Sequence, residues 1–433
     1  MGKKGISRRD FLKTTGIAGA AAAASSLGFP AIIGQTGERD LSDPAQVAEA
    51  LRQEGARVAI HSWGFSGLPE SVLIPKFAEY TERLYGVPVE VEWQTGNFGN
   101  YLTELPLANR HIRELGIDVL DKEEENFARI MALEWGEPVD MEQYRPLLPN
   151  LADTEETYLF HNEELEVDGG DIYGVVYQGY EWLQSIIRKD KVDIENYTDW
   201  TDLAQDEMTA KGINYPFNDS RGHFVFMGML QSLINQNIVE GDLWSQETWE
   251  AGIEWWGENM EDKILRTGDI GNDPTLRLSL QNGEAWWAGL WGVYTRELLG
   301  TDWNQRDDVL AAFYPSSGIA ANRETMTPVA GAEHPVAARI LINWFLENEF
   351  QHLGWYKESP DEEAINRWEV TEDKYLVVYA GGVRPVHREV MPDWAAPYHP
   401  ADPASLILPI DWEWYTPNAE WISRTYDRIV QGI

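Results

Sequence analysis

The residue types that usually carry chemistry are spread through this 433-residue sequence without forming a reactive set. Eight histidines stand at positions 61, 111, 161, 223, 334, 352, 387 and 399. They show no H-E-x-x-H pattern and no close ligand spacing, so no zinc signature is present. The nucleophile elbow G-x-S-x-G, the phosphate loop and the dinucleotide fingerprint are missing too. Carboxylates and indoles are what abound, with 72 Asp and Glu and 20 Trp. A secreted polysaccharide hydrolase would use such groups, with two carboxylates roughly 5 to 9 Å apart, and is the main alternative to binding. Among 72 acids, however, a carboxylate pair singles out nothing, and no nucleophile set accompanies one. Neither enzymatic activity nor a cofactor is expected. Most tryptophans must be core, because pairs such as Trp255-Trp256 and Trp286-Trp287 cannot all line one pocket.

Length and charge narrow the classes further. The chain can form two domains of ordinary size, each with a core of its own. Against the 72 acids stand 34 Lys and Arg, for a net charge of -38. Such a surface repels nucleic acid and anionic lipid, so neither is expected as a partner. The acids run along the whole chain, which argues against a disordered acidic tail. Molar salt shortens the Debye length to about 3 Å and removes most of the self-repulsion, so the charge balance points to a salt-loving source. Single carboxylates are accordingly read as solvated surface. The absence of cysteine excludes disulfides, thiolate metal sites and a thioether lipid anchor.

The first 34 residues read as an address. A basic start is followed by a short, weakly apolar stretch with a run from Ala20 to Ala24, the build of an export signal and too short to span about 30 Å of hydrocarbon. The run Ser7-Arg8-Arg9-Asp10-Phe11-Leu12-Lys13 resembles the twin-arginine signal at every defined position, with Arg8 and Arg9 as the pair. That resemblance implies export in the folded state, to the cell surface or beyond. Residues 35–56 are polar and read as a linker. Without a lipidated cysteine, both release and retention by an uncleaved signal stay open.

Periodicity supplies the elements of the mature chain. Arg57 to Ser62 alternates as a strand, Pro75 to Tyr85 has helical spacing, and Val87 to Trp93 alternates again: strand, helix, parallel strand. Tyr101 to Leu115 reads as helix and Ile117 to Leu120 as a third strand. Such alternation predicts an α/β fold with ligand contacts at the carboxyl ends of strands, at 63–67, 93–97 and 121–126. Ile172 to Tyr180 is strand-prone, and a new unit opens near Tyr197. Helices are predicted over 222–234 and 249–260 and a strand end within 283–294. Pro335 to Phe350 reads as an amphipathic helix with Val336, Ile340, Leu341, Trp344 and Phe345 on one side.

Several ordered patterns then resemble the family 1 solute-binding proteins of ABC importers, nearest the spermidine/putrescine branch. They are Trp63 to Phe77, Gly116-Ile-Asp118-Val-Leu120, Tyr173 to Tyr177, Asp199 to Leu203, Asn218-Asp219-Ser220-Arg221, Gly283 to Gly292 and Pro335 to Phe345. The resemblance implies a two-lobed type II periplasmic-binding-protein-like fold with the ligand held between lobes joined by hinge strands. One lobe would take 57–179 plus 313–433, the other 180–312. It also implies a monomer that docks on ABC permease membrane subunits. Carried over position by position, the implied ligand contacts are Trp63, Ser66, Glu125, Tyr177, Asp219, Trp291, Glu324 and Arg384. An indole face attracts an alkylammonium by about 0.5 to 2 kcal/mol, and Asp219 and Glu324 would complete an amine site. The branch's other acids fall on Phe65 and Gly222, and Arg384 favours an anion, so a sugar fits the set as well as a polyamine-like cation.

Overall fold

The computed structural model describes residues 39–62, 73–96, 98–154, 159–161, 171–213, 220–265, 273–291, 309–347, 383–385 and 406–432. They form two compact units. The first gathers the described residues up to Val176 together with Thr325–Glu347. The second takes Tyr177–Glu324 and the described residues from 383 onward.

The first unit begins with helix α1 (Pro44–Gln53), where Asp43 caps the Ala45 N–H and Pro44 supplies the fixed φ of a first turn. Strand β1 (Arg57–His61), helix α2 (Ile74–Tyr85) and strand β2 (Glu90–Gln94) follow as the alternation predicts. Gly86 ends α2 at φ 66°, a left-handed cap that favours glycine. Helix α3 (Phe98–Leu107) starts ahead of the expected segment and stops at Pro106 and the left-handed Asn109, so that Ile112–Leu115 is a separate 3-10 turn. Strand β3 (Val119–Glu123) then leads directly into helix α4 (Glu124–Ala132), and β4 (Leu159–His161) pairs with the start of β5 (Ile172–Arg188).

Strand β5 carries the chain into the second unit. There β6 (Gly212–Ile213), helices α5 (Ser220–Asn235), α6 (Gln246–Asn259) and α7 (Asp273–Asn282), and strands β7 (Trp287–Trp291) and β8 (Leu310–Phe313) follow in order. Strand β9 (Ile319–Pro328) brings the chain back to helix α8 (Pro335–Phe345). Strands β10 (Val383–Pro385) and β11 (Ile407–Leu408) and helix α9 (Trp412–Tyr426) end the described chain. Hydrogen-bond order is β2-β1-β3-β9 on one side and β5-β7-β6 on the other, with β8 also on β5.

Strands β1, β2 and β3 are parallel, in register Ile60 with Trp93 and Val119. Asp118, just ahead of β3, is buried and fastens this sheet. It accepts from the Ala59 N–H at 2.8 Å, the His334 N–H at 3.1 Å and His334 Nδ1 at 2.7 Å. Arg57 Nε donates to His334 Nε2 at 3.0 Å, which leaves Nδ1 to donate to Asp118; desolvation lowers the His334 pKa, and that carboxylate raises it overall.

Helix α8 departs from the amphipathic expectation: every residue from Val336 to Phe345 is buried. Arg339 and Asn343 meet partners inside, although Arg339 Nε has no hydrogen bond among the described residues. Arg339 reaches Glu137 at 2.8 Å, the Pro138 carbonyl at 2.7 Å and the face of Tyr144, while Asn343 Oδ1 accepts from the Asn150 N–H. The N-terminus of α8 is capped from α1's end, where the Glu54 carboxylate accepts from the Val336 and Ala337 N–H groups, both at 3.0 Å.

The C-terminal helix also differs from expectation. The sequence places 313 to the end with the first lobe, whereas of its described residues Thr325–Glu347 group there and the rest group with the second unit. Tyr415 and Ile422 of α9 are buried in the core that α5 and α6 build around Trp249 and Phe226. Trp414 stacks on Trp249 at 5.6 Å, and Arg428 pairs with Glu250.

Candidate functional site

Parallel β1, β2 and β3 bring their carboxyl ends to one edge of the first unit, where side chains are free of the ladder. His61 ends β1 with Ser62 just beyond it, Gln94 ends β2 with Gly96 beyond it, and Asp121 to Glu123 end β3. Asp121 and Lys122, within the strand-end range 121–126, are buried, so Asp121 is an exception to the general reading of single carboxylates as solvated surface. Ser62 is fixed on both sides: its N–H donates to the Gln94 carbonyl at 2.9 Å, and its hydroxyl donates to Asp121 Oδ2. The ammonium of Lys122 lies 5.3 Å from the Phe98 ring centroid, and the Lys122 carbonyl accepts from Thr325 Oγ1 at 2.8 Å. Asn126 Nδ2 donates to Glu123 Oε2 at 3.0 Å. Burial raises the Glu123 carboxyl above its ordinary pKa, against the opposing pull of Lys122.

His61 is the unusual member. It is 0% exposed, edge-on to Tyr101 at 5.3 Å and tilted against Phe98 at 5.6 Å. Neither ring nitrogen has a hydrogen-bond partner among the described residues. Burial, reinforced by the Lys122 ammonium, lowers its pKa to about 4, so the ring is neutral at ordinary pH. The edge thus offers a neutral imidazole, a hydroxyl, an amide, carboxylates and one cation. That mixture can hold a polar solute, and among the described residues no cluster of three His, Cys, Asp or Glu could hold a metal ion.

The residues expected from resemblance fall unevenly. Trp63, Ser66 and Asp219 lie outside the described residues. Glu125 stands in the first turn of α4, half-buried, within the first unit. Tyr177 on β5 is 1% exposed and Glu324 on β9 is 5% exposed, and both belong to the second unit. Trp291 ends β7 opposite Leu183, and Arg384 lies within β10, whose flanking residues pair with Glu181 and Gln178. Neither of those two side chains is described. Sequence reasoning named the strand ends as ranges but passed over His61, Tyr101 and Gly96. The available signal was a histidine closing a strand whose other inward positions are Val58, Ala59 and Ile60.

Two α/β units between which the chain runs along long strands, with polar groups at a parallel-strand edge, define the periplasmic-binding-protein-like class of solute carriers. The chain belongs to the family described as bacterial extracellular solute-binding proteins, whose profile matches residues 76–361. A second profile, the twin-arginine translocation pathway signal sequence, matches residues 5–25, and the protein is exported by that route. Among solved structures, an ABC transporter protein of Clostridium perfringens shares 18% identity at a TM-score of 0.58, over 86% of this chain and 99% of that one. The apo ferric ion-binding protein A of Pasteurella haemolytica shares 13% at 0.57, over 86% and 98%. A Trichodesmium protein in complex with iron and citrate shares 13% at 0.56, over 86% and 99%. At such identities the likeness is one of fold. No curated protein matches the sequence. No helix among the described residues is long and apolar enough to cross a membrane.

Proposed function

We propose that this protein captures a small polar solute, a sugar or a polyamine-like cation, with the strand-end edge of its first unit taking part. It then delivers the solute to the membrane subunits of an ABC importer, as a monomer and without catalysing a reaction on it. The observation that carries this reading is the convergence of His61-Ser62, Gln94 and Asp121-Lys122-Glu123 at the ends of three parallel strands. Trp63, Ser66, Glu125, Tyr177, Asp219, Trp291, Glu324 and Arg384 are the further contacts suggested by resemblance to family 1. The acid excess supports work in molar salt, where self-repulsion is screened.

The test is titration calorimetry with maltose, glucose, spermidine and putrescine in about 3 M salt, a regime where the Debye length is a few ångströms, with X-ray scattering on the same samples. One-site binding of a probe and a smaller radius of gyration with it are expected. Hydrolysis or other turnover of a probe would refute the carrier reading.

A further inference from the structure

The imidazole of His61 has no evident task inside the fold. A buried polar side chain with no partner is uncommon, because each unmade hydrogen bond costs about 1 to 3 kcal/mol of desolvation. His61 carries two such atoms, Nδ1 and Nε2, in a strand end where a phenylalanine or leucine would pack without that cost.

The space beside it is defined by a glycine. A Cβ built on Gly96 would lie 3.7 Å from His61 Nε2 and 3.8 Å from Tyr101 Oη, the two contacts within 4 Å among the described residues beyond its chain neighbours. Gly96 itself is exposed. The absent side chain therefore leaves a narrow notch on which one ring nitrogen and one phenol oxygen converge, the nitrogen itself being closed to solvent in this structure. Among the described residues the Tyr101 hydroxyl makes no hydrogen bond either.

The charges around the notch choose among ligands. Lys122, buried near His61, opposes a second cation, which disfavours an ammonium group. Asp121 and Glu123 on the same strand end oppose an anion. A neutral imidazole presents one donor and one acceptor, and a phenol does the same, which is the complement of an aliphatic hydroxyl.

We infer that His61 and Tyr101, across the notch left by Gly96, are specificity-determining residues that hydrogen-bond a hydroxyl of a neutral polyhydroxylated solute. The inference rests on the solute-carrier reading above and selects one of its two ligand classes. His61 acts as a neutral hydrogen-bonding group, so binding of such a solute is unchanged across pH 6 to 9.

Two variants test it by calorimetry, with glucose, maltose and myo-inositol as neutral probes, spermidine as the cation and citrate as the anion. His61→Phe keeps a ring between Phe98 and Tyr101 but removes both nitrogens. Gly96→Ala places one methyl in the notch at ordinary contact distance. At least one neutral probe binds the wild type, and each variant weakens it by roughly tenfold or more, the worth of one hydrogen bond and a displaced contact. The thermal midpoint of His61→Phe equals or exceeds that of the wild type, which separates lost recognition from lost folding. Unchanged affinity in both variants would make the buried imidazole a solitary structural defect and overturn the inference. Binding of spermidine or citrate without any neutral probe would overturn it too, while leaving the carrier reading intact. Failure of all five probes to bind would count against both.

Discussion

Replacing Glu54 by Gln should change how the stability of the first unit depends on pH. Burial raises the Glu54 carboxyl from 4.5 to about 7, and the Ala337 and Val336 amide donors pull the other way without prevailing. A folded-state pKa above the unfolded one means that the folded state binds the proton more tightly. The associated stability is complete below about pH 4.5 and is lost as pH rises through about 7. The shift from 4.5 to about 7 corresponds to about 3 kcal/mol, as an upper bound for a group not fully removed from solvent. Glutamine is neutral throughout and has one acceptor oxygen for the two amides that the carboxylate now serves, so it forfeits about 1 kcal/mol at every pH. The wild type should therefore be the more stable protein near pH 5 and the less stable near pH 8.5. Hydrogen exchange of peptides covering 335–345, followed from pH 5 to 9 at constant salt and corrected for intrinsic rates, reads this locally and does not need the two units to unfold together. A difference between wild type and variant that stays flat across that range would refute the argument, because the carboxylate would then not be carrying a desolvation cost.

Two further outcomes follow from the packing and the charge. In Gly228→Ala the new Cβ would fall 2.3 Å from Trp200 Nε1, a fully buried indole held by its bond to the Gly318 carbonyl; the second unit should lose about 1 to 3 kcal/mol, measured by its denaturation midpoint. With 72 acids against 34 bases, the thermal midpoint should rise steadily as sodium chloride is raised from low to molar concentration, and a flat or falling response would contradict the salt-loving reading.

Local pattern carried the first unit well where each residue's fate depends on near neighbours. The β1-α2-β2 run was legible because Val58 and Ile60 alternate with exposed or differently facing positions and Gly86 supplies a left-handed stop. Pattern failed where partners come from far along the chain. Arg339 and Asn343 mark a solvent face to any periodicity argument, but Glu137, Pro138, Tyr144 and Asn150, about two hundred residues away, meet them and let α8 be buried all round. Asp121 lies within a strand-end range that the alternation marks, but its partner Ser62 stands 59 residues earlier and no local pattern pairs the two. His61 was passed over because a motif search looks for histidines in company, and this one is informative through the lack of it.

Neither unit is contiguous in the chain, and this bears on export. The first unit lacks α8 and the end of β9 until about residue 347 has been made, and the second lacks Tyr415 and Ile422 until α9 is complete. The arginine pair, by contrast, emerges from the ribosome first. The signal precedes both units in the chain, so a route that carries folded proteins has no complete second unit to accept until α9 has been made. Truncation between α8 and α9 would leave the address intact and the second unit without Tyr415 and Ile422 in its core.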